Sequence, residues 1–247
     1  MRFIPLGIII VLWFIVGNAL DSPLFVPTPQ AVLRGAADLL ANGMLAEAAL
    51  KSFWRISLAS LLSAAVSIPI GLLIVNYRWA DALVSPLTGF MRYLPITAFY
   101  PLLMMWFGIG ETMRVMFLFL ATFVYFLPTV VLCVKDIAGE LIETAYTIGM
   151  SKLQVIWRVI IPAMAPSISQ SFLMMYGIGW TYVVVAELVN AQAGLGFIIN
   201  TSGARGRTDL VYVAIISILL ISYLFDSVRH ALIKKFFRWK FVKQSYQ

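Results

Sequence analysis

The sequence is poor in the residues that carry chemistry. Its 247 residues include one cysteine, Cys133, one histidine, His230, and only 12% charged side chains. A single cysteine excludes an internal disulfide framework and a cysteine-based metal site. The lone histidine sits in a basic stretch with no ligand-type neighbours, so neither a Ser/His/Asp triad nor a histidine metal centre can be assembled. The 11 carboxylates are scattered, and no paired acid–base site is visible. There is no G-x-x-x-x-G-K-[ST] loop and no second soluble domain, so the chain has no nucleotide-binding segment of its own. So little charge cannot cover the surface of a soluble domain of this length.

What is abundant is apolar sequence: 62% of the residues are hydrophobic and the mean hydropathy is +0.93. Several runs approach or exceed the roughly 20 apolar residues that cross a bilayer as helix. The alternating segments of about ten residues that mark a membrane barrel are absent. The chain therefore reads as an all-α polytopic membrane protein with six transmembrane helices. The spans are expected near residues 3–20, 53–75, 82–107, 113–134, 168–189 and 210–233. The third region carries Pro86, Pro95 and Pro101 and reads as a short interfacial helix followed by a span from about Leu94. Pro69 and Gly71 suggest a kink near the end of the second span.

Three regions result. Residues 1–29 form a retained N-terminal anchor and an external loop. Residues 30–51, broken at Asn42-Gly43, form an external amphipathic helix in which Val32, Leu39, Leu40 and Leu45 mix with Arg34, Asp38 and Glu47. Residues 52–247 form the membrane core, with a polar interruption at 136–165. Cations set the orientation. Arg2, Arg78, Lys135, Lys152, Arg158 and the run from Arg229 to Lys243 fall on one side, which places both termini and the interruption in the cytoplasm. Lys234 to Lys243 alternate with Phe236, Phe237, Trp239 and Phe241, a pattern that fits an interfacial anchor better than a nucleic-acid patch.

The interruption is the most informative stretch. Asp136 is positioned as a helix N-cap and Gly149 as a helix stop. Between them Ile137, Leu141, Ala145 and Ile148 recur at helical spacing and make one apolar face. Glu140, Glu143, Thr144 and Thr147 lie elsewhere on the wheel, so Glu143 faces outward. Ser151 caps a second short helix carrying Leu153, Val155, Ile156 and Val159, and Pro162 re-enters the membrane region.

Glu143-Thr144-Ala145, three residues, Gly149, nine residues, then Val159-Ile160-Ile161-Pro162 resembles the E-A-A, x3, G, x9, I-x-L-P signature of importer permeases of ATP-binding-cassette (ABC) transporters. Thr144 replaces the first Ala, and Val159 and Ile161 replace Ile and Leu. Further segments, in order, resemble the branch for nitrate, bicarbonate, taurine and alkanesulfonates, with some relatives for vitamin precursors. They are residues 24–29 (L-F-V-P-T-P), 106–111 (W-F-G-I-G-E), Ala186-Glu187, Gly194-Leu195-Gly196 and Arg207-Thr208-Asp209-Leu210. The resemblance covers nearly the whole chain. It implies the type I importer fold and a cytoplasmic coupling helix that docks on a separate ATPase, with Glu143, Thr144, Ala145, Gly149 and Pro162 as its coupling residues. It further implies a homodimer or paired permease in a bacterial inner membrane, two ATPase subunits holding ATP and Mg, an external solute-binding protein, and no cofactor or catalytic site in this chain.

Ionisable residues inside spans are functional candidates, because charge is costly in lipid. Arg92 and Glu187 are candidates for the translocation pathway, together with Tyr176 and Trp180 of the fifth span, although those two aromatics also suit helix packing. Arg55 reads as a snorkelling side chain, and Arg114 as a partner of Glu111. The rival readings are a secondary transporter or channel that needs no ATPase, and a non-transporting membrane scaffold. Secondary transporters commonly show internal repeats with discontinuous helices, and no repeat relates the halves of this chain.

Overall fold

A computed structural model describes residues 4–19, 24–91, 93–137, 139–189 and 191–236. Among these residues all regular structure is helical. The described residues form two compact units, one within residues 4–54 and 183–223 and the other within residues 55–182 and 224–236.

In the first unit, α1 (Ile4–Ala19) is anchored by Trp13, whose indole Nε1 donates to the Pro27 carbonyl at 3.0 Å. The Trp13 ring stacks on Tyr212 with centroids 5.8 Å apart. α2 (Pro29–Ala41) starts where the sequence favours it. Thr28 is the N-cap, its hydroxyl accepts from the Ala31 N–H, and Pro29 occupies the first turn. Val32, Gly35 and Leu39 face inward while Leu33 and Leu40 are exposed. α2 closes at Asn42, and Gly43 takes φ +74. The break falls where the sequence places it, but the second half of the expected external helix behaves differently. Residues 44–51 are the first two turns of α3 (Met44–Asn76), one helix of 33 residues. At 1.5 Å per residue it is about 50 Å long, more than the bilayer's apolar core requires. This unit also holds the end of α9 (Ile161–Ala186), α10 (Leu195–Ala204) and most of α11 (Thr208–Phe236).

The second unit is built on α6 (Glu111–Lys135), the most buried of the long helices. α3 runs past Pro69 without interruption, and Gly71 serves contact. A Cβ there would lie 2.5 Å from Val130 Cγ1, so the glycine lets α3 approach α6 closely. α3 also buries the small residues Ala59, Ser60, Ser63 and Ser67. α4 (Arg78–Met91), a 3-10 turn (Ile96–Phe99) and α5 (Tyr100–Phe107) occupy the place of the expected third span.

Among the described residues, four helical stretches are long and apolar enough to cross a membrane: Met44–Ile74, Glu111–Lys135, Lys152–Ala186 and Thr208–Val228. The first and third expected spans correspond to shorter apolar stretches, Ile10–Ala19 and Ile96–Phe107. The third is shortened by its own chemistry. Pro95 N-caps the 3-10 turn and Pro101 sits in the first turn of α5. Neither proline supplies the N–H that a helix continuing from upstream would need there.

Candidate functional site

The polar interruption is a pair of short helices, and local chemistry defines both ends of each. Asp136 differs from expectation: it closes α6 instead of opening the next helix, its N–H donating to the Leu132 carbonyl at 2.9 Å while Ile137 N–H donates to that of Val134. α7 (Gly139–Thr147) follows and carries Glu143, Thr144 and Ala145. Thr144 donates its hydroxyl to the Glu140 carbonyl at 2.7 Å, and Thr147 donates to that of Glu143 at 2.9 Å. Each threonine is satisfied within its own helix turn.

α7 ends in a Schellman turn. Met150 N–H donates to Ala145 O and Gly149 N–H to Tyr146 O, both near 3 Å. Gly149 holds φ +83, and the space a side chain would enter there is open. The glycine therefore serves the backbone turn and not a close contact within this chain. Ser151 then opens α8 (Lys152–Val155) with a full capping box: its hydroxyl accepts from Gln154 N–H, and the Gln154 amide oxygen accepts from Ser151 N–H at 2.8 Å. A π turn (Ile156–Ile160) joins α8 to α9, with Ile161 N–H reaching Ile156 O. The wide turn lies directly before Pro162, whose ring would clash with the Arg158 carbonyl in a regular helix.

The helix pair is seated on one core. Ala145 of α7, Val155 of α8 and Ile160 pack with Phe126, Val130 and Val134 of α6 and Met164 of α9, and Ile137, Ile142 and Met150 lie against them. This corrects the expected apolar face. Ala145 and Ile137 do face the core, but Leu141 is 52% exposed and Ile148 68%. Ile142 takes the inward place. Ile137 precedes α7, and Ile148 lies in the turn beyond it, so the wheel through 137, 141, 145 and 148 spans two breaks in the helix. Leu141, Tyr146, Ile148, Leu153 and Trp157 of this segment are exposed, as is Glu143.

The pathway candidates are placed as follows. Tyr176 and Trp180 of α9 are each 3% exposed. The Tyr176 hydroxyl lies 3.0 Å from Ser57 Oγ, and its ring stacks on Phe225 at 4.0 Å. Trp180 buries its indole N–H without a hydrogen-bond partner among the described residues. A cavity of about 240 Å³ between α6 and α9 is lined by Tyr125, Thr129, Ser171 and Met174 among others, and by neither Tyr176 nor Trp180. Arg92 lies outside the described residues.

Glu187 belongs to the other unit. Its carboxylate accepts from Ser52 Oγ at 2.8 Å and from Gly196 N–H at 2.8 Å, and Ser52 Oγ in turn accepts from Leu195 N–H. Residues just beyond α9 and on α3 thus satisfy the first N–H groups of α10, whose own N-cap, Gly194, has no side chain to do so. Sequence reading missed Ser52, because 135 residues separate it from Glu187.

Glu111 pairs with Arg114 as expected, at 2.9 Å. Arg55 differs from expectation: it is 2% exposed and binds Glu111 through both Nε and Nη2, at 2.7 and 2.6 Å, instead of reaching out to water.

A family model described as "binding-protein-dependent transport system inner membrane component" matches residues 64–238. The chain is 32% identical over 240 residues to the taurine transport system permease protein TauC of Escherichia coli, covering 95% of this chain and 87% of that one. It is 31% identical to a putative ABC transporter permease protein of Methanocaldococcus jannaschii, over 94% of this chain and 88% of the relative. It is 28% identical to the putative aliphatic sulfonates transport permease protein SsuC of Escherichia coli, over 96% and 90%. Among solved structures, the inward-facing MetNI methionine ABC transporter superposes with a TM-score of 0.69 at 16% identity, covering 78% of this chain and 95% of that chain. An amino acid ABC transporter crystallised with histidines gives 0.61 at 16% identity, over 82% and 96%.

Proposed function

The chain belongs to the binding-protein-dependent transport system inner membrane component family, and from that premise we propose that residues 136–165 are the cytoplasmic element on which a separate ATPase subunit docks. The chain is a multi-pass membrane protein and a transporter subunit. In the proposed assembly two such permeases line the pathway in a bacterial inner membrane, with both termini cytoplasmic. Two ATPase subunits hold ATP and Mg, and an external solute-binding protein delivers the substrate.

The supporting observation is the two-sidedness of the helix pair. Ala145 of α7 and Val155 of α8 are buried in the chain's own core, while Leu141, Ile148, Leu153 and Trp157 of the same segment are exposed, as is Glu143. Several large apolar side chains left exposed on one short polar segment point to a partner site. Glu143 suits a cationic mate in a groove, where a partly desolvated pair contributes to fit and register. In the proposed cycle, ATP closes the ATPase pair, the helix pairs move with it, and the pathway turns from one side of the membrane to the other. The relatives named for taurine and aliphatic sulfonates support a small sulfonate-bearing solute as substrate.

The test is copurification. Leu141→Ser with Ile148→Ser, both at exposed positions, leaves membrane insertion unchanged and removes the ATPase from the purified complex. Retention of the ATPase at the wild-type ratio refutes the docking assignment. Uptake of labelled taurine into proteoliposomes, and its competition by alkanesulfonates against nitrate, tests the substrate class.

A further inference from the structure

Lys152 ties the helix pair to the end of α3, whose Leu72 also packs against the apolar core that seats the pair. Lys152, the first residue of α8, donates from Nζ to the carbonyl of Asn76, the last residue of α3, at 3.1 Å. The same ammonium sits 4.1 Å above the centroid of the Tyr77 ring. Tyr77 is the joint between helices: its N–H closes α3 on Leu73 O, and its carbonyl accepts the N–H groups of Ala80 and Asp81 in the first turn of α4. The far side of that joint is held by a second lysine, Lys135 of α6, which binds Asp81 at 2.7 Å.

We propose that Lys152 is a latch, a positioning residue that carries displacement of the 136–165 segment to the α3–α4 joint. The proposal rests on the docking reading above. The apolar seat of the helix pair, to which α6, α9 and α3 all contribute, excludes water but is non-directional, so it fixes contact more firmly than register. The Lys152 contacts are directional: a cation faces a helix C-terminal carbonyl, where the dipole favours positive charge, and covers an aromatic face. Lys152 and Tyr77 are both exposed.

The experiment reads distance. Spin labels at Leu83→Cys on α4 and Glu140→Cys on α7, in a Cys133→Ala background, report the separation of the joint from the helix pair. The purified chain gives one narrow distribution. Lys152→Met keeps the aliphatic stem and removes the charge, and the fraction at the latched distance falls about two- to five-fold relative to the displaced fraction. Tyr77→Leu produces the same change, and the double variant adds little to either single one, as expected of two residues in one contact. Lys152→Arg retains the narrow distribution. In the complex with its copurifying ATPase, trapping with ATP and vanadate leaves the distance unchanged in the wild type and alters it in Lys152→Met. Narrow wild-type distributions in both Lys152→Met and Tyr77→Leu overturn the latch, as does a Lys152→Arg variant that behaves like Lys152→Met. Loss of the ATPase from Lys152→Met makes Lys152 a docking residue and also overturns it. A wild-type chain that holds no ATPase refutes the docking reading and the transmission role together, while the free-chain distances still report whether the contact itself forms.

Discussion

Glu187 and Gly196 are joined by a hydrogen bond from the glycine N–H to the carboxylate at 2.8 Å, in a site where Glu187 is 1% exposed. The same carboxylate excludes a side chain at Gly194: a Cβ there would lie 2.2 Å from Glu187 Oε2, at a residue already held at φ +138. The A-E and G-L-G segments are therefore two halves of one capping arrangement for α10, with Ser52 as its third member.

Removing that carboxylate strands buried donors. Glu187→Ala is expected to destabilise the chain by roughly 1–3 kcal/mol, the cost of a buried donor left without its acceptor. Glu187→Gln keeps an acceptor oxygen and is milder. Gly194→Ala combines a forbidden approach with a left-handed backbone and is at least as severe as Glu187→Ala. Thermal unfolding in detergent ranks the three. Equal melting temperatures for Glu187→Ala and the wild type contradict the capping role.

The Glu111 carboxylate is shared by two guanidiniums that are themselves almost fully buried. Glu111→Ala is expected to cost roughly 1–3 kcal/mol. That is less than the 3–5 kcal/mol of a fully buried pair, because the Glu111 side chain is 63% exposed and screened by water. Arg55→Lys loses the two-pronged contact and falls between Glu111→Ala and the wild type. Melting curves of the two variants test the ranking.

Gly149 needs its backbone more than its space. Gly149→Asn, which tolerates the left-handed region, is expected to retain ATPase copurification, while Gly149→Val is expected to lose it through strain of about 1–3 kcal/mol at a non-glycine residue held there. Glu143→Lys, which reverses an exposed charge on α7, weakens copurification less. If Gly149→Val docks as well as Gly149→Asn, the positive φ is not what the partner reads.

Asp81 gives a pH signature outside the spans. The Lys135 ammonium and then the Ser85 hydroxyl hold its carboxyl below the ordinary value. A depressed carboxyl contributes stability above its unfolded pKa, and the contribution is lost as pH falls through the folded value. Asp81→Asn is therefore expected to melt slightly below the wild type at pH 7. The difference should shrink once the pH is well below about 4. A difference that persists unchanged at pH 2.5 shows that the Lys135 bridge is not its source.

Sequence by itself determined the membrane class, the helical architecture and the breaks at Asn42-Gly43 and Gly149. Gly43, Gly149 and Ser151 were legible because caps and turns are chemistry within a single turn of chain: the hydroxyl or the glycine lies within about four residues of the groups it serves. The family resemblance was legible for the same reason, since its motifs are contiguous. Tertiary structure decided what depends on the return path of the chain. Nine residues of α7 offer apolar side chains on more than one side, and only the seat on α6 and α9 turns Ile142 and Ala145 inward and leaves Leu141 and Ile148 outside. Arg55 meets Glu111 across 56 residues, Lys152 meets Asn76 across 76, and Ser52 meets Glu187 across 135. Periodicity states that a polar side chain on a buried face needs a partner; which partner it finds is set by the helices that lie beside it.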